Sequence, residues 1–283
     1  MTAEERQPPS SQDHSRLLTE LIKIGISLTS ERDLVALPTR ILTAARRFTR
    51  AEAGTIYLRD GDRLRFTAVQ NDVLERRLEK SEMRRLFQSD LLLTQSSLAG
   101  YVALSRDILR VPDAYEIPTD RPYKFNRAID AQTGYRTRSV LVVPFMEPTG
   151  YVVGVFQLIN ARDARNQIVP FDPDDEELIR ALASLASVAI RNAQLEELAC
   201  TRATVRVLTD LVTTIAHEID TPLFVITEKA RLLIRRMSDP VSHQSADAVL
   251  GAAETIREIV QRLNRIAELK LADQLSVEER WSR

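Results

Sequence analysis

No proline occurs between Pro173 and Pro222, and no glycine between Gly154 and Gly251. Within that interval Leu178, Leu182, Leu185, Leu195, Leu198, Val205, Leu208, Val212, Ile215 and Ile219 recur at helical spacing and form one apolar stripe. Nothing there punctuates a helix, so the stretch predicts a single one from about 174 to 237, longer than a globular helix usually runs. The segment "SDPVSHQSAD" then breaks it with Pro240 and small polar residues. A second helix follows, with Val249, Ala252, Ile256, Ile259, Leu263 and Ile266 alternately three and four apart, close to an a/d heptad seam. Two long amphipathic helices joined by a short loop predict a helical hairpin. One hairpin covers both stripes poorly, so the expected completion is a homodimer that closes a four-helix bundle.

The first half has a different texture. "HSRLLTELIKIGISLTS" places Leu17, Leu21, Ile24 and Leu28 on one helical face, and "DLVALPTRILTAARRFT" predicts a second helix with Pro38 near its start. "AGTIYLRDGDRLRFTAV" predicts a β-hairpin turning at Asp60, Gly61 and Asp62, and "SVLVVPFMEPTGYVVGVFQLIN" another turning at Pro148, Thr149 and Gly150. Between them lie a charged helix over about 72–88, a short helix "SLAGYVALS" and a long segment from Val111 to Arg138. Two hairpins flanked by helices predict an α+β domain, an antiparallel sheet with helices against it.

Lys plus Arg number 39 against 40 Asp plus Glu, which gives no electrostatic case for nucleic acid or an anionic membrane as partner. The one cysteine, Cys200, excludes an internal disulfide and suits a reducing, cytoplasmic setting. No apolar run approaches the ~20 residues of a membrane span. The opening "MTAEERQPPSSQDHS" has no apolar signal core and predicts a disordered lead-in.

Chemistry concentrates in "TIAHEIDTPLFVI", residues 214–226. His217 lies two residues from both Ile215 and Ile219, about 200° around the helix, so it is expected to face solvent. "HEIDT" begins like the zinc pattern H-E-x-x-H, but Thr221 stands where the second histidine is required. The other histidines, His14 and His243, sit in polar stretches, so no metal site is expected. Glu218 can orient the imidazole or accept its proton, leaving the other nitrogen free as a nucleophile. Thr221 is four residues on, over His217 on the same face, where a hydroxyl could position a water against a phosphorylated histidine. Pro222 removes the amide that would bond the Glu218 carbonyl, so a bend is expected there. A solvated histidine with no role is the plain alternative.

In residue order, helix phase, proline and following heptad helix, "AHEIDTPLFVI" resembles the phosphoacceptor box of bacterial sensor histidine kinases, roughly H-E-[IL]-x-[TNQ]-P-L. The resemblance spans about residues 205–271, the dimerisation and phosphotransfer hairpin. It implies His217 as phosphoacceptor, Glu218 as assisting acid/base, and Thr221 as the group used in dephosphorylating the partner, a response regulator receiver domain. The first half, over about residues 15–195, resembles GAF domains, which are small-molecule-sensing modules. "DAY", "FNRAID", "TGYRT", "VPF" and "GVFQLIN" are similar to the GAF modules of cyclic-nucleotide phosphodiesterases and cyclases. That resemblance implies a ligand pocket using Asp130, Thr133, Thr137 and Gln157. The modules' signature of Asn-Lys, a spacer and Phe-x-x-x-Asp-Glu is matched by Asn160, Phe171, Asp175 and Glu176, but Ala161 stands at the lysine. Unless Arg162 substitutes, the salt bridge of the nucleotide binders is missing, and a cyclic nucleotide is expected to bind weakly.

About a dozen residues follow Leu271, and none of the eight glycines forms G-x-G, so this chain is expected to carry no ATP-binding domain and no cofactor of its own. ATP would act only through a separate kinase domain. The expected organisation is a lead-in over 1–13, a GAF-like sensor over 14–195, a connecting coiled-coil helix over 196–204, the phosphoacceptor hairpin over 205–271 and a tail over 272–283. The expected function is GAF-regulated histidine phosphotransfer in two-component signalling. The alternative is a non-catalytic, ligand-responsive dimer that regulates a partner kinase.

Overall fold

The computed structural model describes residues 19, 21–28, 31, 33–87, 90–236 and 239–281. The expected lead-in over 1–13, His14 and Leu17 lie outside them. The chain divides into two compact units, Met1–Leu195 and Glu196–Arg283.

In the first unit, helix α1 (residues 21–28) and α2 (Ala36–Thr49) precede the hairpin β1 (Ala51–Asp60) and β2 (Arg63–Asn71). Then come α3 (Leu74–Arg77), α4 (Lys80–Leu86), β3 (Leu91–Leu92), α5 (Leu98–Ser105), β4 (Leu109–Val111) and α6 (Ala128–Thr133). The second hairpin, β5 (Val140–Met146) and β6 (Val152–Arg162), is followed by β7 (Ile168–Val169) and by α7 (Pro173–Arg236). The strands form one antiparallel sheet in the order β3-β2-β1-β6-β5-β4, with β7 on β6. The two hairpins predicted from sequence meet at its centre, where β1 pairs with β6 from Ala51↔Ala161 to Leu58↔Gly154. Gly61, at φ 61°, supplies the backbone conformation that the two-residue turn after Asp60 requires.

Side chains alternate across the sheet, and both faces are covered. Ile56, Phe156, Leu158 and Phe145 face a core shared with Ile41 and Leu42 of α2 and with Ile179, Leu182 and Ile190 of α7. Tyr57, Leu64, Val142 and Val155 face the opposite core, with Leu98 and Val102 of α5 and Tyr123. A small third cluster, Ala53, Leu74 and Tyr135, closes the N-terminal end of β1. The charged stretch read as one helix over 72–88 is two. Leu78 is extended (φ −117°, ψ 148°), and Glu79 and Glu82 form a capping box that starts α4 afresh.

The second unit holds the end of α7 and α8 (Pro240–Trp281). The break between them is shorter than "SDPVSHQSAD" suggested. Proline fits the first helical turn because its missing amide would have had no partner there, so Pro240 starts α8. Arg231 pairs with Glu254 and Arg257 donates to Thr227, so the two helices run antiparallel. Their buried apolar positions recur in sevens, Ala216, Leu223 and Ala230 on α7 and Ala246, Ala253 and Val260 on α8, with Thr227 buried between Leu223 and Ala230. The predicted seam lies off this contact. Val249, Ile256, Ile259, Leu263 and Ile266 are each about half exposed, as are Leu208, Leu211 and Ile215 of α7. Along the same part of α7, Thr204, Thr209, Thr213, Thr214, Thr221 and Thr227 each donate a hydroxyl proton to the carbonyl four residues back.

Candidate functional site

Helix α6 ends at Gly134, whose φ of 66° turns the chain back toward β5. Asp130 on that helix is 4% exposed and accepts three hydrogen bonds: from the Thr137 amide (2.7 Å), the Thr137 hydroxyl (3.0 Å) and the Tyr115 hydroxyl (3.0 Å). One buried carboxylate thus ties α6 to the segment leading into β5 and to the loop after β4. Arg127 and Arg136 stack on the Tyr115 ring at 4.3 and 3.7 Å. Of the four pocket residues read from sequence, Asp130 and Thr137 are in direct contact. Thr133 instead closes its own helix, donating to the Ile129 carbonyl and accepting from the Tyr135 amide. Gln157 lies half-buried in β6 between Thr55 and Val142.

A second polar knot sits at the end of β6. Asn160 is fully buried and holds a left-handed φ of 58°. Its Nδ2 donates to Glu52 Oε1 (3.2 Å), the Tyr135 hydroxyl (3.0 Å) and the Arg136 carbonyl (2.9 Å). Its Oδ1 accepts from the Arg138 amide at 2.8 Å. Glu52, 5% exposed, is a buried carboxylate paired with Arg162. The guanidinium beside Ala161 therefore pairs across to β1. Asp175 and Asp172 exchange side-chain-to-amide hydrogen bonds of 3.1 and 2.8 Å, a capping box for α7. Burial raises the Tyr135 hydroxyl well above the ordinary tyrosine range, with the Asn160 bond opposing, and burial does the same to Tyr57. For Tyr115, burial and then its bond to Asp130 also push upward.

Glu52, Tyr115 and Tyr135 were not singled out from sequence. Glu52 had a signal: it is the lone charge in the apolar start of β1, "AEAGTIY", and a buried charge needs a partner.

On α7, His217, Glu218 and Thr221 are all exposed. The Thr221 hydroxyl donates to the His217 carbonyl at 3.2 Å, which leaves its oxygen free to accept. Pro222 is accommodated inside the helix. Among the described residues, neither the His217 imidazole nor the Glu218 carboxylate makes a hydrogen bond or ion pair. Among the same residues no three His, Cys, Asp or Glu side chains gather as a metal site, and no helix is long and apolar enough to cross a membrane.

Residues 33–190 match the GAF domain family, and the chain belongs to it. It is 28% identical over 198 residues to a cGMP-specific 3',5'-cyclic phosphodiesterase of Drosophila ananassae, covering 69% of this chain and 16% of the fly protein. It is 29% identical over 189 residues to that of Drosophila melanogaster, covering 66% of this chain and again 16% of the relative. The chain therefore spans about a sixth of the length of these relatives. The fold is similar to the GAF domain of a phosphoenolpyruvate-protein phosphotransferase from Coxiella burnetii, with a TM-score of 0.50 and 17% identity over 65% of this chain and 97% of that one.

Proposed function

We propose that this chain is a cytoplasmic signalling protein. Its GAF domain binds a small molecule, its hairpin dimerises, and His217 relays phosphoryl groups to a response regulator receiver domain. The observation that carries the phosphotransfer reading is the solvent-facing His217 with Thr221 bonded to its carbonyl, one turn before Pro222. An exposed imidazole on a helix can be reached in line by a phosphoryl donor. Glu218 beside it can take the imidazole proton. The Thr221 oxygen can accept from a water that attacks the partner's acyl phosphate. The half-exposed apolar positions of α7 and α8 support dimerisation, since a second copy of the hairpin would cover them. The similarity to cGMP-specific phosphodiesterases makes a cyclic nucleotide the first ligand to try.

The test is phosphoryl transfer from a separately supplied histidine kinase domain with ATP, or from a phosphorylated receiver. Label on the chain should be acid-labile and base-stable, and His217→Gln should abolish it while leaving the fold intact. Thr221→Ala should still accept label but slow its loss from the receiver. Label that persists on folded His217→Gln refutes the assignment, whereas self-labelling at His217 with ATP alone would instead reveal a nucleotide site within this chain. A second reading is favoured by the absence, among the described residues, of any orienting partner on the imidazole. In that reading the dimer responds to ligand and regulates a partner kinase without being phosphorylated. Failure of every donor to label His217 selects it.

A further inference from the structure

A groove of about 560 Å³ opens where the C-terminus of α2, the start of β1, the end of β2 and the turn after β6 meet. Five arginines line it, Arg46, Arg47, Arg50, Arg76 and Arg162, against three acids, Glu52, Asp72 and Asp163, so five minus three leaves a net charge of +2.

Part of this charge is structural. Arg46 pairs with Asp72 and donates to the Ala51 and Glu52 carbonyls and to Gln70 Oε1. Arg162 pairs with Glu52 and donates to Asn166. Asp163 caps its own turn, accepting from the Arg165 and Gln167 amides. These bonds fix a rigid floor and engage every acid in the lining. Arg50 and Arg76 are different: both are exposed, and among the described residues neither guanidinium has an ion pair or hydrogen bond. Arg50 also occupies the left-handed position that ends α2, with φ 53°. Glycine is the usual residue there, so the backbone gives no reason for an arginine.

We propose that this groove binds a small ligand carrying two or more phosphate groups, gripped by Arg50 and Arg76 over the floor fixed by Arg46 and Arg162. A planar guanidinium matches phosphate oxygens two at a time, and two uncommitted guanidiniums match a diphosphate. The chain's near-neutral total charge, −1, argues against a long polyanion such as nucleic acid, which needs a wider basic surface. This site lies apart from Asp130 and Thr137 and does not depend on phosphotransfer at His217.

The experiment is calorimetric titration of the full chain with pyrophosphate, and separately with ADP, at low and high sodium chloride. Saturable one-to-one binding that weakens with salt is expected. The double variant Arg50→Ala with Arg76→Ala should weaken pyrophosphate by about tenfold, because charge-assisted pairs at exposed sites are worth about that much together. Arg50→Gln with Arg76→Gln provides the same test with less side chain removed, and unchanged thermal unfolding shows that either variant is folded. A control pair elsewhere, Arg63→Ala with Arg110→Ala, should change affinity by less than about threefold. ADP binding more tightly than pyrophosphate would assign the ligand as a nucleotide, and equal binding would assign recognition to the phosphates alone. The proposal is overturned if millimolar pyrophosphate shows no saturable binding or if both groove variants bind within threefold of the wild type. It is also overturned if an oligonucleotide binds through the same arginines more tightly than pyrophosphate does.

Discussion

Replacing Asn160 separates two costs that this residue carries at once. Its side chain makes four hydrogen bonds, and its backbone holds a left-handed conformation. In Asn160→Ala all four bonds go. Water can reach the Arg136 carbonyl and the Arg138 amide, since those residues are exposed, and Glu52 keeps Arg162. The uncompensated loss falls mainly on the buried Tyr135 hydroxyl, at about 1–1.5 kcal/mol. Alanine in the left-handed region adds about 1 kcal/mol, for a total of about 2–2.5 kcal/mol. Asn160→Gly loses the same bonds without the backbone term, so it should be less destabilising than alanine by about 1 kcal/mol. For a unit of this size each kcal/mol shifts Tm by about 2–4 °C, so alanine should lower the GAF transition by roughly 4–10 °C and glycine by less. Scanning calorimetry of the full chain reads both. If alanine costs less than about 1 kcal/mol, the network does not hold this end of the sheet. If glycine is worse than alanine, the left-handed backbone is not a source of strain.

Ile259→Lys places a charge on each copy's exposed seam, removing about 1.5–3 kcal/mol of apolar burial per subunit; light scattering should show a wild-type dimer and a monomeric or unfolded variant, and a well-folded wild-type monomer refutes the bundle. Stability should fall as pH rises past 10. Tyr57 and Tyr135 are raised by burial, so below pH 10 their contribution is fully present, and above it the unfolded chain releases protons that the fold retains. Each contributes a slope of about 1.4 kcal/mol per pH unit, and alkaline melts of Tyr57→Phe should be correspondingly flatter; an unchanged slope refutes the assignment. Cyclic GMP and cyclic AMP, titrated calorimetrically, should bind weakly if at all, and sub-micromolar binding of either would show that Ala161 does not limit affinity.

The long helix was legible because nothing punctuates 174–221, and the hairpins because Gly61 and Gly150 sit between β-rich runs. His217 is exposed as expected, but its placement was read from the wrong positions: Ile215 is itself half exposed, and the buried neighbour is Ala216. Contacts between distant segments were not legible. The pairing of β1 with β6 carries no local signature, so neither Glu52 with Arg162 nor Asn160 with Tyr135 could be read from spacing. Periodicity was also ambiguous where two registers compete. On α8 the bulky seam at Val249, Ile256 and Ile259 is the stronger apolar signal, yet the hairpin closes on small Ala246, Ala253 and Val260, which let the helices approach. The break at Leu78 was hidden because Glu79 and Glu82 look like surface charges until their backbone partners are known.

The threonines of α7 make that helix mechanically uneven. Between Thr204 and Thr227 six β-branched hydroxyl residues replace better helix formers, at a combined propensity cost of about 3–4 kcal/mol relative to alanine. Each hydroxyl also pulls on a carbonyl already engaged along the helix, which loosens the ladder locally. Pro222 deletes one rung outright. By contrast, Ile179, Leu182, Ala186 and Ile190 clamp the first turns of α7 against the sheet. Amide protons should therefore exchange by low-energy local opening over 204–227, and only through far costlier opening over 179–190. The turn that presents His217 is thus built into the compliant part of the helix, where bending toward an incoming group takes little work.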